Sequence, residues 1–291
     1  MSDNLRGSLF MCLAMLGFAI EDAFFKSATG GFGVSAGVGT LLFGVFGTTF
    51  FILRSLWMRE RVWTRSYVER PLLIRSSFEI VGRLFFALAL TFAPLSTTSA
   101  ILQAAPLVVT LGAALVLKEP VGVRRWSAMM VGFFGVLLIV RPTPSGFDAT
   151  SIFAILGMIG FAGRDLMTRA SPPEVTATQL GILGFVMVFI AGCVISVFES
   201  APFAAPNPGA LALLMGTGLA GVMGYSALTK AMRTGEVSVV APFRYSRLLV
   251  ALIVAYIIFG ERPDLLTYLG AALIVSSGTY TLVRSGRVRA R

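Results

Sequence analysis

The chain has no histidine, only two cysteines and little charge, with Asp, Glu, Lys and Arg making up 13% of its 291 residues, against about 25% in soluble domains. Each scarcity removes a class of function. Without histidine there is no imidazole for proton transfer or for the usual zinc ligand sets. Cys12 and Cys193 lie inside apolar runs, too few for a metal cluster or a disulfide framework, and are expected as free buried thiols. So few charges could not cover a water-soluble fold of this size, whereas a bilayer needs no such cover. What the chain has is apolar: 56% of its side chains are hydrophobic and its mean hydropathy is +0.84. Disorder, a secreted disulfide scaffold and a cytosolic enzyme are excluded. An all-α, polytopic membrane protein is expected.

A helix needs about 20 apolar residues to cross the ~30 Å hydrocarbon core. Ten such runs lie near 7–27, 34–53, 72–92, 96–117, 124–140, 149–168, 177–198, 209–229, 237–259 and 264–283. Turn residues or charge separate them: Gly30-Gly31, the Arg54 to Arg70 segment, Ala93-Pro94, Lys118-Glu119-Pro120, Arg141-Pro142, Ser171-Pro172-Pro173, the Pro202 to Pro208 run and Glu261-Arg262-Pro263. Glu21-Asp22 stands where a cleavable signal peptide would have small residues, so the first run is read as a retained span.

Placing the amino terminus in the cytoplasm puts sixteen Lys/Arg in inside segments, from Arg6 through Arg54–Arg70, Lys118–Arg125, Arg169 and Lys230–Arg233 to Arg284–Arg291. Only Lys26, Arg141 and Arg262 fall outside. The positive-inside rule then sets both termini in the cytoplasm. The same asymmetry assigns the +10 net charge to topology and to anionic lipid on the cytoplasmic face, not to nucleic acid, since no basic patch is interleaved with aromatics on a soluble element.

The chain also repeats itself. Leu16-Gly17-Phe18-Ala19 with Asp22 and Lys26 matches Ile159-Gly160-Phe161-Ala162 with Asp165 and Arg169, and Glu119 and Trp126 match Glu261 and Tyr268 at nearly the same offset. Each half then holds five spans, 1–145 and 146–291. An odd number of crossings turns the second half over, so the two are inverted repeats about an axis in the membrane plane, an architecture suited to alternating access.

Ten spans in two inverted five-span repeats, each with an acidic residue closing its fourth span (Lys118-Glu119-Pro120 and Phe259-Gly260-Glu261-Arg262-Pro263) and a Gly-rich fifth span, resemble the EamA-type bacterial members of the drug/metabolite transporter superfamily. The resemblance implies a secondary transporter, multi-pass in the cytoplasmic (inner) membrane of a bacterium, with a cavity built by spans 1, 3, 4, 6, 8 and 9 and with spans 5 and 10 peripheral. It implies no cofactor. It leaves the substrate open, because such transporters carry amino acids, vitamins, nucleotide-like compounds and other metabolites.

The site is therefore sought among the charges. Glu21, Asp22, Arg75, Glu79, Arg83, Arg164, Asp165, Arg244 and Arg247 fall inside spans, where a lipid-facing charge costs about 2.5–3.5 kcal/mol on insertion scales. At 1.5 Å per residue, Glu79 and Arg244 lie about 10 Å deep, and Arg83 and Arg247 about 15 Å deep, on spans of different halves. Glu79 and Arg244 are expected to pair across the cavity, with Arg83 and Arg247 presenting guanidinium forks to a carboxylate or phosphate of the substrate. One glutamate cannot neutralise Arg75, Arg83, Arg244 and Arg247. The competing reading has Arg75, Glu79 and Arg83 satisfying each other at i, i+4 along one helix.

Asp22/Lys26 and Asp165/Arg169 recur in both halves and are expected at the outer and inner mouths, as gates or as helix-end pairs reaching the headgroups. Pro106 and Pro242 each remove a backbone hydrogen bond and are expected to bend spans 4 and 9. Phe243 and Tyr245 flank Arg244 and are candidates to stack on a planar substrate. A secondary transporter of a small organic metabolite with an anionic or zwitterionic group leads, coupled to exchange or to a proton for which Asp22, Asp165 and Glu79 are the candidate carriers. A larger planar metabolite such as a vitamin or nucleotide-like compound, an integral-membrane enzyme and a channel are the alternatives.

Overall fold

The computed structural model describes residues 2–92, 98, 101–142, 149–199, 205–259 and 264–289. Ala93-Pro94, Pro202, the 145/146 boundary, Gly260-Glu261-Arg262-Pro263 and Arg291 lie outside them. The described elements are all helical: α1 (Asp3–Lys26), continued by a π turn (Ser27–Gly31), α2 (Ala36–Trp57), a 3-10 turn (Arg65–Val68), α3 (Arg70–Phe92), α4 (Ala105–Val116), α5 (Val123–Val140), α6 (Ser151–Arg169), α7 (Ala177–Phe198), α8 (Pro208–Thr234), α9 (Val237–Val240), a 3-10 turn (Ala241–Tyr245), α10 (Ser246–Phe259) and α11 (Leu265–Arg289). Side chains start several of them: Ser2, Ser35 and Asn207 accept from backbone N–H groups of the first turn, and Thr176 with Gln179 forms a reciprocal capping box.

Among the described residues, seven helices are long and apolar enough to cross a membrane: α1, α2, α5, α6, α7, α8 and α11. The remaining three of the ten expected spans differ for visible reasons. α3 carries Arg70, Arg75, Glu79 and Arg83; α4 is 12 residues long; and the ninth span is cut into α9 and α10 by the turn that contains Pro242. Pro106 likewise stands in the first turn of α4, after a turn at 103–104. Both prolines therefore sit where a helix is interrupted, at places where the lost N–H bond costs least.

Among the described residues, four antiparallel pairs dominate the bundle: α1 with α8, α2 with α7, α3 with α6, and α5 with α11. Going up α2, Gly37 meets Ser196, Gly44 meets Phe189, and Phe51 meets Gly181. Along α3, Arg75 reaches Thr168, Gly82 meets Gly160, and Phe86 meets Gly157. The α3–α6 approach depends on glycine: a Cβ on Gly160 would lie 2.4 Å from the backbone nitrogen of Gly82. In lipid, where apolar surface gains little by leaving its solvent, such backbone proximity is a main source of helix association.

At one end of the bundle the start of α1, the start of α5 and the residue before α9 are tied together. The Glu236 N–H donates to Asn4 Oδ1 at 2.9 Å, and Arg125 forms a 2.7 Å ion pair with Glu236. The 58–69 connection is fastened at the same end, with Thr176 donating to Glu60 at 2.6 Å and Gln179 to the Arg61 carbonyl at 2.8 Å. Because α11 runs antiparallel to α5, its carboxyl-terminal turns also lie at this basic end. An apolar cluster including Met11, Met15, Val109, Leu166, Leu228 and Met232 fills the adjoining part of the interior. At the opposite end Arg141 pairs with Asp264 and, with Thr267, holds the Asp264 carboxyl well below the usual carboxylate range.

Candidate functional site

The nine intramembrane charges form one row through the bundle. At its buried end, Glu79 has no exposed surface; it accepts from Arg164 at 3.0 Å and from the Tyr225 hydroxyl at 2.8 Å, and lies 3.7 Å from Arg75 one turn back on α3. Arg75 donates to Thr168 at 3.0 Å and to the Tyr225 oxygen. Next along, Asp165 accepts from Arg164 at 2.8 Å and from Arg244. At the exposed end, Arg83 lies 3.6 Å from Glu21, and Arg247 pairs with Asp22, whose side chain is 51% exposed. Each of these two arginines also stands over a phenylalanine of α1 or α2, Arg83 over Phe43 at 5.2 Å and Arg247 over Phe18 at 5.9 Å.

The expected Glu79–Arg244 pair is replaced by two others, Glu79–Arg164 and Asp165–Arg244. The reason lies in α6: packed against α3 through Gly160, it inserts Arg164 and Asp165 between the two predicted partners. The i, i+4 contact of Arg75 with Glu79 does form, but Arg83 turns to Glu21 of α1 instead. The excess of positive charge is smaller than the count of one glutamate against four arginines suggested. Five arginines face four carboxylates, because Glu21, Asp22 and Asp165 all enter the row.

The predicted mouth pairs are re-partnered as well. Lys26 is exposed in the last turn of α1, and Asp22 takes Arg247 in place of Lys26. Asp165 is buried in the row, whereas Arg169 lies 3.7 Å from Glu119 beyond the end of α4. Glu119 sits outside the spans; burial pushes its carboxyl above the ordinary value, while Arg169 beside it acts in the opposite direction. Tyr245 does not flank the charges: its ring lies against Gly132 of α5 with Val136 and Ile274. Phe243 packs toward Gly278 of α11.

The model of the EamA-like transporter family matches residues 5–141 and, a second time, residues 149–283. The chain belongs to that family. This EamA-like chain is 26% identical over 277 residues to the riboflavin transporter of Vibrio cholerae, covering 94% of this chain and 91% of that one. It is 28% identical over 214 residues to the S-adenosylmethionine uptake transporter of Rickettsia prowazekii, covering 72% and 70%. Its fold is also that of a crystal structure with a TM-score of 0.81 at 16% identity, over 95% of this chain and 97% of the other. It is a multi-pass membrane protein that moves a small molecule, and it is not an enzyme.

For this EamA-like transporter, Tyr225, Thr168, Glu21 and Arg164 are the members of the row that sequence reasoning missed or left without a partner. Tyr225 had one available signal, since the 142-residue offset that relates Glu119 to Glu261 sets it where the first half has Arg83. A polar ring in the place of an arginine, on a largely apolar span, marks a position that faces the interior.

Proposed function

We propose that this chain is a secondary transporter of the bacterial cytoplasmic membrane, carrying a small metabolite with an anionic or zwitterionic group by alternating access between two inverted five-helix repeats, 1–145 and 146–291, with both termini cytoplasmic. The tandem family match supports the duplication. So does the helix pairing: exchanging the halves turns α1–α8 into α6–α3 and returns α2–α7 and α5–α11 to themselves. Since the self-returned pairs are antiparallel, the axis of that exchange crosses the helices and lies in the membrane plane. The two interrupted spans, at Pro106 and at Pro242, correspond under the same exchange. Interrupted helices at matching places in inverted repeats commonly border a transport site.

The observation that carries the substrate reading is the gradient of exposure along the charge row. Glu79, Arg75 and Asp165 are sealed, whereas the Arg247–Asp22 pair is open, with 36% and 51% of the two side chains exposed. A substrate carboxylate or phosphate displaces Asp22 from Arg247 and adds a charge-assisted bond at Arg83, whose buried Nε has no hydrogen-bond partner among the described residues. Phe18 beneath Arg247 favours a substrate that also has a flat ring, in keeping with the compounds for which the relatives are named.

Counterflow into proteoliposomes with labelled riboflavin, S-adenosylmethionine, amino acids and organic acids tests this. Saturable, trans-stimulated flux of at least one anionic or zwitterionic compound is expected, and Arg247→Leu abolishes it while the folded protein persists. Flux without trans-stimulation means a channel, and undiminished transport by Arg247→Leu removes that residue from the site.

Arg169–Glu119 and the apolar cluster beside it close the basic end. Cysteines at 119 and 169 are expected to cross-link efficiently when the transporter faces outward and poorly when it faces inward. Equal yields in both states remove the pair from gating.

A further inference from the structure

A groove runs along the outside of the bundle between α5 and α11, away from the charge row. It encloses about 310 Å³ and is lined by Arg124, Ser127, Ala128, Val131, Ser277 and Tyr280 among others. Its floor is apolar despite the serines. The Ser127 hydroxyl donates to the Val123 carbonyl at 3.0 Å and the Ser277 hydroxyl to the Ala128 carbonyl at 2.5 Å, so both are satisfied within the protein. Beside the exposed Ser276, what faces outward between the charged end and the floor is mainly the apolar surface of Ala128, Val131 and the Tyr280 ring, a shape that admits a chain of CH₂ groups.

The basic end of the groove is different in character. Arg124 lines it, and Arg284 follows Tyr280 by one turn on the same face of α11. Among the described residues neither arginine has a carboxylate partner. We propose that this groove binds an anionic phospholipid, with an acyl chain along the α5–α11 floor and the headgroup phosphate held by Arg124 and Arg284. Tyr280, 46% exposed, sits between the two parts at the level where aromatic rings border headgroups. The charges argue against a second copy of this chain in the groove. A two-fold interface there sets Arg124 and Arg284 against their own duplicates, whereas two unmatched guanidinium groups attract a headgroup of net negative charge.

Native mass spectrometry of the detergent-purified full chain, with added phosphatidylglycerol or phosphatidylcholine, tests the site. Phosphatidylglycerol is expected to stay bound, to resist an excess of inorganic phosphate, and to bind about thirtyfold more weakly to the Arg124→Ala/Arg284→Ala double variant. Val131→Trp fills the groove without touching charge and is expected to weaken the same lipid. Equal phosphatidylglycerol retention by the parent and both variants overturns the proposal. So does equal retention of phosphatidylcholine by the parent, or a dimer in the parent that the double variant loses. Melting temperatures close to the parent's confirm that both variants are folded.

Discussion

Glu79→Ala is expected to cost the protein about 3–5 kcal/mol of stability, the usual consequence of deleting one partner from a buried ionic cluster, and so to remove most of the folded protein. Glu79 has no exposed surface and is the carboxylate shared by Arg75 and Arg164, with the Tyr225 hydroxyl as its third partner. Without it two guanidinium groups remain in a medium that solvates charge poorly. Glu79→Gln keeps an acceptor for Tyr225 and should fall between the parent and Glu79→Ala. Glu79→Leu combined with Arg75→Leu should recover part of the loss, because Arg164 keeps Asp165 and one unpaired charge has been removed. Melting temperature and monodispersity in detergent read this out. A Glu79→Ala protein that melts with the parent would show that the cluster is dispensable to the fold.

Gly192→Val should have the next largest effect. A Cβ at position 192 lies 2.4 Å from the backbone nitrogen of Leu41 and 2.6 Å from its Cα. No rotamer change relieves a clash with main chain, so α2 and α7 must separate along an interface whose association depends on proximity. Overpacking of a well-fitted interior ordinarily costs about 1–3 kcal/mol, more when backbone must move, and this site belongs at the upper end. Gly30→Ala, where an added Cβ meets nothing within 4 Å, is the matched control and should melt as the parent does. Equal stability of Gly192→Val and Gly30→Ala would mean that the α2–α7 approach is looser than described.

Hydropathy and positive charge act along the membrane normal, and they located the apolar helices and the basic end. Depth is also one-dimensional: it set Glu79 and Arg244 level with each other but could not say that α6 lies between them. That depends on which helices are neighbours in the plane, and so on pairings such as Glu79 with Arg164 or Asp22 with Arg247, separated by 85 and 225 residues. The repeat aligns Asp165 with Asp22 and so pairs it with Arg169 at a mouth, while it says nothing of its neighbour Arg164. Tyr245 was drawn to the site by adjacency to Arg244, yet the 3-10 turn aims the two side chains at different neighbours. The interruption of span 9, in contrast, follows from Pro242 alone, since a proline acts through its own backbone.

The pairing of helices across the halves has a consequence for biosynthesis. α1, made first, has its long partner in α8, some two hundred residues later, and α2 waits for α7. During translation the glycine-lined face of α1 and the carboxylate of Asp22 stand without their final neighbours until the last third of the chain has been inserted. The ribosome thus releases a protein whose earliest helices are among the last to be completed, and truncation in its second half strands the first half as surely as a lesion there.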